Sequence, residues 1–238
     1  MVEATGGLVV VDARRGPGAI TTDIPTRELA GLVGEGRIVV VKGAFEPAGL
    51  RRMRSAILAW NAPSRENDTS AAGSTRQRSE DPPGTPIRHV FESFLFDVND
   101  AADPIGPTVR PAFDRLAEFW RALTGHAFGF APDAEGRALR PRALYYPAGG
   151  GYFDWHEHPL EPHRIGAILG VSELGVDFGT GATEFKAPNG LVSTEGAHDL
   201  GDVCLFRYDL AHRVTAVDAN APRRWDGPGR WTFIIPLQ

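Results

Sequence analysis

At 238 residues, 42% of them hydrophobic, the chain has enough apolar material for one full core and reads as a single domain spanning residues 1–238. The formal net charge of −5 comes from 25 Lys and Arg scattered among 30 Asp and Glu, which leaves no basic face for a phosphate backbone; this argues against a nucleic-acid partner and for a small-molecule one. The single cysteine, Cys204, excludes an internal disulfide and every cysteine-based zinc motif, so any metal must be held by nitrogen and oxygen.

No charged-then-apolar leader opens the sequence, and no apolar run approaches the roughly 18 residues of a membrane-spanning helix. A cytoplasmic, soluble protein with no membrane partner is therefore expected. No internal repeat is found.

In chain order, "GRIVVVKGAF" (36–45) predicts a strand closed by glycine. It feeds "EPAGLRRMRSAILAW", where Leu50, Met53, Ile57 and Trp60 recur at helical spacing. Residues 62–86 carry almost no large apolar side chains and many Ser, Gly, Pro and charges, which predicts a mobile loop, either a plain insertion or a lid over a substrate. A second helix is expected in "TVRPAFDRLAEFWRALTG", with Val109, Phe113, Leu116, Trp120 and Leu123 as its core stripe and Gly125 as its stop. From about residue 139 the runs "LRPRALYY", "RIGAILGV", "DVCLFRY", "RVTAVD" and "RWTFIIP" alternate with Gly, Pro and Asp turn signals. That is the pattern of an all-β sandwich or barrel. The expected fold is mainly β, a jelly-roll core (139–238) buttressed by N-terminal α/β elements (1–138).

The stretch "GYFDWHEHPLEPH" (151–163) concentrates three histidines and three acids. On a strand, residues i and i+2 share a face, so His156 and His158 present two imidazoles to one point while Trp155 and Glu157 turn away. A third ligand must come from elsewhere, and His212, at the start of a β-branched run, is the candidate. His89, His126, His163 and His198 are isolated and read as structural.

"YYPAGGGYFDWHEH", "GTGATEF", "GDVCLFRYDLAHRV" and "GRWTFIIP", in that order, resemble the landmarks of the non-haem Fe(II)- and 2-oxoglutarate-dependent oxygenases, in particular the prolyl-hydroxylase-like and phytanoyl-CoA-hydroxylase-like branches. The resemblance spans residues 139–238. It implies a double-stranded β-helix, Fe(II) as cofactor, 2-oxoglutarate and O2 as co-substrates, and hydroxylation or desaturation of a small molecule. The family's metal motif is His-x-Asp plus a distal His, a facial triad that leaves positions open on the iron. His156 and His212 match the histidines, but His158 occupies the acid position. Either His158 is a third imidazole ligand, or Asp154 or Glu157 supplies the carboxylate (Asp154 from the strand face of His156, Glu157 only with a twist), or the site has degenerated.

The resemblance also implies a final-strand Arg-x-Ser/Thr pair that holds the far carboxylate of 2-oxoglutarate. Arg230 and Thr232 match it and share a strand face, whereas Arg223 and Arg224 fall in a loop-like insertion. Tyr146 resembles the tyrosine that reaches the same co-substrate. Thr183 and Glu184 read as structural. For substrate contacts, the segment "IRHVFESFLFDV" (87–98) offers Arg88, His89 and Phe91. The alternatives to this activity are a three-His iron dioxygenase that does not use 2-oxoglutarate, and a non-catalytic jelly-roll that binds a metal or ligand.

Overall fold

A computed structural model describes residues 3–5, 7–14, 16, 18–60, 73–81, 84 and 86–238. The N-terminal part is a strand-helix-strand unit behind a short hairpin. β1 (Glu3–Thr5) pairs antiparallel with β2 (Leu8–Asp12), and β2 runs parallel to β3 (Ile38–Lys42) through the crossover helix α1 (Thr26–Gly34). The apolar run "IVVVK" is β3, as its β-branched composition predicts, and it is buried on both faces. Helix α2 (Pro47–Ala59) follows, starting at a proline whose missing N–H lies among donors that have no helical partner anyway.

Two strands precede the last helix. β4 (Thr75–Glu80) pairs antiparallel with β5 (His89–Leu95). The composition of 62–86 predicts a loop throughout, but 75–80 is a strand. Its "TRQRSE" has no apolar alternation, and it is ordered by the ladder to β5 and by Arg76, whose guanidinium donates to the buried carboxylate of Glu92 at 2.7 Å. Residues 62–72 of that expected loop lie outside the described residues.

Helix α3 (Gly106–Thr124) carries the predicted stripe, with Val109, Phe113, Leu116, Trp120 and Leu123 all buried, and ends at Gly125 with φ 74°. Such a left-handed residue closes a helix at little cost when it is glycine. The remaining strands are β6 (Arg142–Pro147), β7 (Gly151–His156), β8 (Ile165–Gly170), β9 (Thr183–Ala187), β10 (Gly190–Ser193), β11 (Val203–Arg207), β12 (His212–Val217) and β13 (Gly229–Ile234).

These eight form two four-stranded runs, β6-β13-β8-β11 and β7-β12-β9-β10, with neighbours antiparallel. Strand β5 pairs with β6 through Glu92↔Tyr145 and with β7 through His89↔Phe153, so one continuous sheet wraps from the first run onto the second. The result is the expected double-stranded β-helix. Period-2 alternation sorts the first run: Ala143, Tyr145, Ala167, Leu169, Val203, Leu205, Trp231 and Phe233 join the three helices in the larger core. The residues between them, including Leu144, Tyr146, Cys204, Phe206, Arg230 and Thr232, face the second run.

Trp120 fastens α3 to this sheet, its buried Nε1–H donating to the carbonyl of Ile165 at 2.8 Å. Trp120→Phe strands that carbonyl and shrinks the ring, so a loss of about 1–3 kcal/mol is expected in urea unfolding; an unchanged midpoint would show that α3 is held by its apolar stripe alone. Among the described residues, no helix is long and apolar enough to cross a membrane.

Candidate metal centre

Between the two runs lies a cavity of ≈620 Å³, within the usual size of small-molecule sites. At one end of it His156, His158 and His212 converge, each with one ring nitrogen within 4.8 Å of the other two; no carboxylate joins this cluster among the described residues. His156 ends β7 and His212 begins β12, and the two are direct cross-strand partners. His212 thus sits at the strand edge expected of it.

The route by which His158 arrives differs from the prediction. Strand β7 stops at His156, so the i, i+2 rule does not reach His158, which is placed by the irregular segment that follows. Within β7 the register also slips: Phe153 faces Val214 and His156 faces His212, three residues on one strand against two on the other. A β-bulge of this kind reverses side-chain parity. Phe153 therefore shares the cavity with His156, their rings stacked at 3.9 Å, and Asp154 does not line it. The expectation that Asp154 shares the face of His156 is thereby corrected. Its Oδ1 instead accepts the backbone N–H of Trp155 at 2.8 Å, and Glu157 is exposed.

Two of the three imidazoles are oriented by the main chain. Nδ1–H of His156 donates to the carbonyl of Asp154, and Nδ1–H of His212 donates to that of Leu210, each at 2.9 Å. A carbonyl can only accept, so in both rings the proton is on Nδ1 and the Nε2 lone pair is free for a metal. Burial reinforces this by holding His156 down to about 4 and His212 down to about 3, the latter with help from the neighbouring His156, and burial lowers His158 as well. Neutral imidazole is the ligating form.

The protonation cost extends to the whole fold. His163 and His198 are also held at about 3 by burial, so between pH 6.5 and about 4 the unfolded chain binds more protons than the folded one. Stability must then fall as the pH falls through that window. The expected result is a melting temperature of the metal-free protein that is level above pH 7 and drops steadily from about 6.5 to 4.5. A level curve down to pH 5 would contradict the burial of these rings.

The far end of the cavity is built around Arg230. It is the second residue of β13, opposite Tyr146 of β6, is 4% exposed, and donates from Nη2 to Oγ1 of Thr183 on β9 at 2.8 Å. Its Nη1 is buried with no hydrogen-bond partner. Burial pulls the guanidinium below its ordinary pKa and pushes the Tyr146 phenol upward, so the cation is desolvated and the phenol remains a donor. Thr232 lines the same wall, on the same face of β13, as its spacing predicts. Thr183, read from the sequence as structural, is the side chain that positions Arg230. Glu184, its neighbour, faces outward and pairs with Arg213.

Of the expected substrate contacts, His89 and Phe91 line the cavity, stacked at 4.7 Å, with the His89 Nε2 bonded to Ser79 Oγ at 2.6 Å. Arg88 does not line the cavity: it is an exposed cation paired with Asp81. Arg223 and Arg224 lie on the exposed loop before β13, where Arg223 reaches the carbonyl of Gly149 and Arg224 pairs with Asp226. Sequence reasoning missed Arg142, Phe153 and Tyr208 among the cavity walls. Arg142 had a readable signal, being the alternate residue to Leu144 and Tyr146 in "RALYY"; Phe153 is hidden by the bulge.

No protein-family model matches the sequence, and no curated protein matches it. Solved structures do. A prolyl-4-hydroxylase from Pseudomonas putida superposes with a TM-score of 0.58 at 11% identity, covering 90% of this chain and 98% of that one. An oxidoreductase of the 2OG-Fe(II) oxygenase family from Burkholderia pseudomallei gives 0.56 at 13%, covering 96% and 94%. The non-haem α-ketoglutarate-dependent epimerase SnoN from nogalamycin biosynthesis gives 0.56 at 13%, covering 90% and 82%. The chain has the fold of these oxygenases. The chemistry of its cavity is that of a metal and anion site: three neutral nitrogen donors suit a first-row divalent metal, and a buried guanidinium with an unpartnered nitrogen suits a carboxylate.

Proposed function

We propose that the chain is an Fe(II)- and 2-oxoglutarate-dependent oxygenase acting on a small molecule. The observation that carries this reading is the unpartnered, fully buried Nη1 of Arg230 in the same cavity as three converging imidazoles. Leaving such a donor unpaired is costly, and a bidentate carboxylate is the ligand that satisfies a guanidinium fork.

In this reading His156, His158 and His212 hold the iron through ring nitrogens, two of which are fixed by their Nδ1–H bonds to the main chain. Arg230 grips the far carboxylate of 2-oxoglutarate, with Thr232 and the Tyr146 hydroxyl beside it and Thr183 fixing the fork. Phe91, Leu144, Phe153 and Val214 exclude water from the space between, and His89 and Phe91 offer the substrate an aromatic wall. When bound, Fe(II) with 2-oxoglutarate and O2 supplies the oxidation, in which the keto acid leaves as succinate and CO2 and a C–H bond of the substrate is hydroxylated or desaturated.

The test is an anaerobic titration with Fe(II) and then 2-oxoglutarate, followed by the weak visible charge-transfer band of a chelated keto acid. The band is expected in the wild-type protein. Iron binding without it would favour a second reading, a three-His iron dioxygenase with no keto acid, which the carboxylate-free donor set makes specific. Arg230→Ala with full activity would support that alternative. Failure to consume O2 with any substrate would favour a ligand-binding protein.

A further inference from the structure

The cavity contains a second guanidinium, for which the function above has no task. Arg142 opens β6 and, at two-residue spacing from Leu144 and Tyr146, faces inward and lines the cavity. Its side chain is half-buried, and its Nε is fully buried with no hydrogen-bond partner. Nη2 donates to Oε1 of Gln238 at 3.2 Å, a neutral acceptor. Among the described residues no carboxylate lies within ion-pairing distance of it. Most of the other arginines of the N-terminal and mouth segments are paired, including Arg76 and Arg78 with Glu92, Arg88 with Asp81 and Arg164 with Glu161. Arg142 resembles Arg230 instead: a desolvated cation aimed at the cavity and lacking a counter-charge.

Its neighbour strengthens the case. Tyr208, just beyond β11, lines the same wall and stacks on His158 at 4.6 Å. Its hydroxyl makes no hydrogen bond among the described residues and is free to donate into the cavity.

The topology separates the two cations. β6 and β7 lie in opposite runs and are joined by the short turn 148–150, so Arg142 at the start of one and His156 at the end of the other both lie at the end of the cavity away from that turn. Arg230 is opposite Tyr146, four residues further along β6, or about 13 Å at ~3.3 Å per residue. Arg142 is therefore at the histidine end and Arg230 at the far end. One dicarboxylate co-substrate gripped by Arg230 leaves Arg142 for something else. The walls between them, Phe91, Phe153, Leu144, Val214 and Ile234, are apolar.

We propose that Arg142, with the Tyr208 hydroxyl, binds a carboxylate of the primary substrate, which is thus an acid with an apolar body rather than a neutral molecule. This rests on the oxygenase reading for its division of labour between the two arginines, and the experiment separates the two.

Protein loaded with Mn(II) and saturated with 2-oxoglutarate under argon is titrated calorimetrically with 3-phenylpropanoate and with the uncharged isostere 3-phenylpropanamide. The expected preference for the carboxylate is on the order of tenfold to a hundredfold, the usual worth of a charge-assisted bidentate contact. Arg142→Gln should erase it, Arg142→Lys should retain part of it, and the Fe(II)–2-oxoglutarate band should persist in both, which also reports that they fold. No preference in the wild-type protein, or a preference that survives Arg142→Gln, overturns the proposal. Loss of the band in Arg142→Gln but not in Arg230→Met overturns it differently, by making Arg142 the co-substrate's anchor. Absence of the band in wild type with an Arg142-dependent preference intact defeats the co-substrate reading and leaves the acid-binding site standing.

Discussion

Arg230→Met is expected to make the protein alone more stable and to abolish its response to 2-oxoglutarate. The guanidinium is buried, holds one hydrogen bond to Thr183, and leaves Nη1 without a partner. Replacing such a cation with an apolar chain of similar length removes a desolvation penalty, and comparable replacements of buried charge are neutral or stabilising by about 1–4 kcal/mol. Against this stands the loss of the Thr183 bond, about 1 kcal/mol. The ligand effect runs the other way. At a concentration of 100 Kd a ligand adds about 2.7 kcal/mol, which is roughly 5–10 °C of melting temperature in a domain of this size. With Mn(II) present, wild type should show that rise on adding 2-oxoglutarate and Arg230→Met should show none, its affinity having fallen at least about a hundredfold for two lost charge-assisted bonds. A variant that is less stable than wild type and still responds would make Arg230 a structural residue and place the keto acid elsewhere.

The features that make Arg230 readable from the sequence also mark the limits of such reading. In "GRWTFIIP" alternation is strict: Trp231 and Phe233 enter the helical core, and Arg230 and Thr232 face the cavity. A central strand with regular neighbours on both sides keeps its parity, so period 2 suffices. The stripe of α3 is readable for the same reason, since its 19 residues give the period time to show. Helix α1 is not readable in this way, because nine residues bury only Leu29 and Val33. Strand β4 is polar throughout and exists by pairing with β5. The bulge in β7 is a property of two strands, set where β7 meets β12, and no residue in "GYFDWH" announces it. The face of Asp154 is therefore not legible in the sequence, whereas His158 does converge with His156 and His212 as expected, though from beyond the end of β7. Arg88 was misplaced because an alternating pattern does not show which end of a strand leaves the cavity.

The position of that bulge leads to the second large effect. Because it turns Asp154 out of the cavity, and because Glu157 is exposed beyond the end of the strand, neither of these two acids is placed to replace His158, and Glu161 on the cavity wall is paired with Arg164. His158→Ala should leave only His156 and His212, one protein ligand short of the three-donor site, and the loss of metal affinity should exceed the ~10–100-fold typical of removing an outer partner of a ligand. Asp154→Ala and Glu157→Ala should bind as wild type does. His158→Asp is the discriminating variant. It recreates the His-x-Asp spacing of the oxygenases that the sequence resembles, so it should regain binding relative to His158→Ala, with one negative charge added to the centre. Co(II) titrations followed by visible absorption measure all four, and the Fe(II)–2-oxoglutarate band reports whether the carboxylate form still chelates the keto acid. Wild-type affinity in His158→Ala would mean that the third imidazole is only a neighbour of a site completed elsewhere. Equal weakness of the Asp and Ala variants would mean that the irregular segment after β7 sets the reach for an imidazole and not for a shorter carboxylate. That outcome would make the third histidine a geometric requirement of where β7 ends, because a strand that stops at His156 leaves a ligand two residues later farther from the metal than one carried on the strand itself.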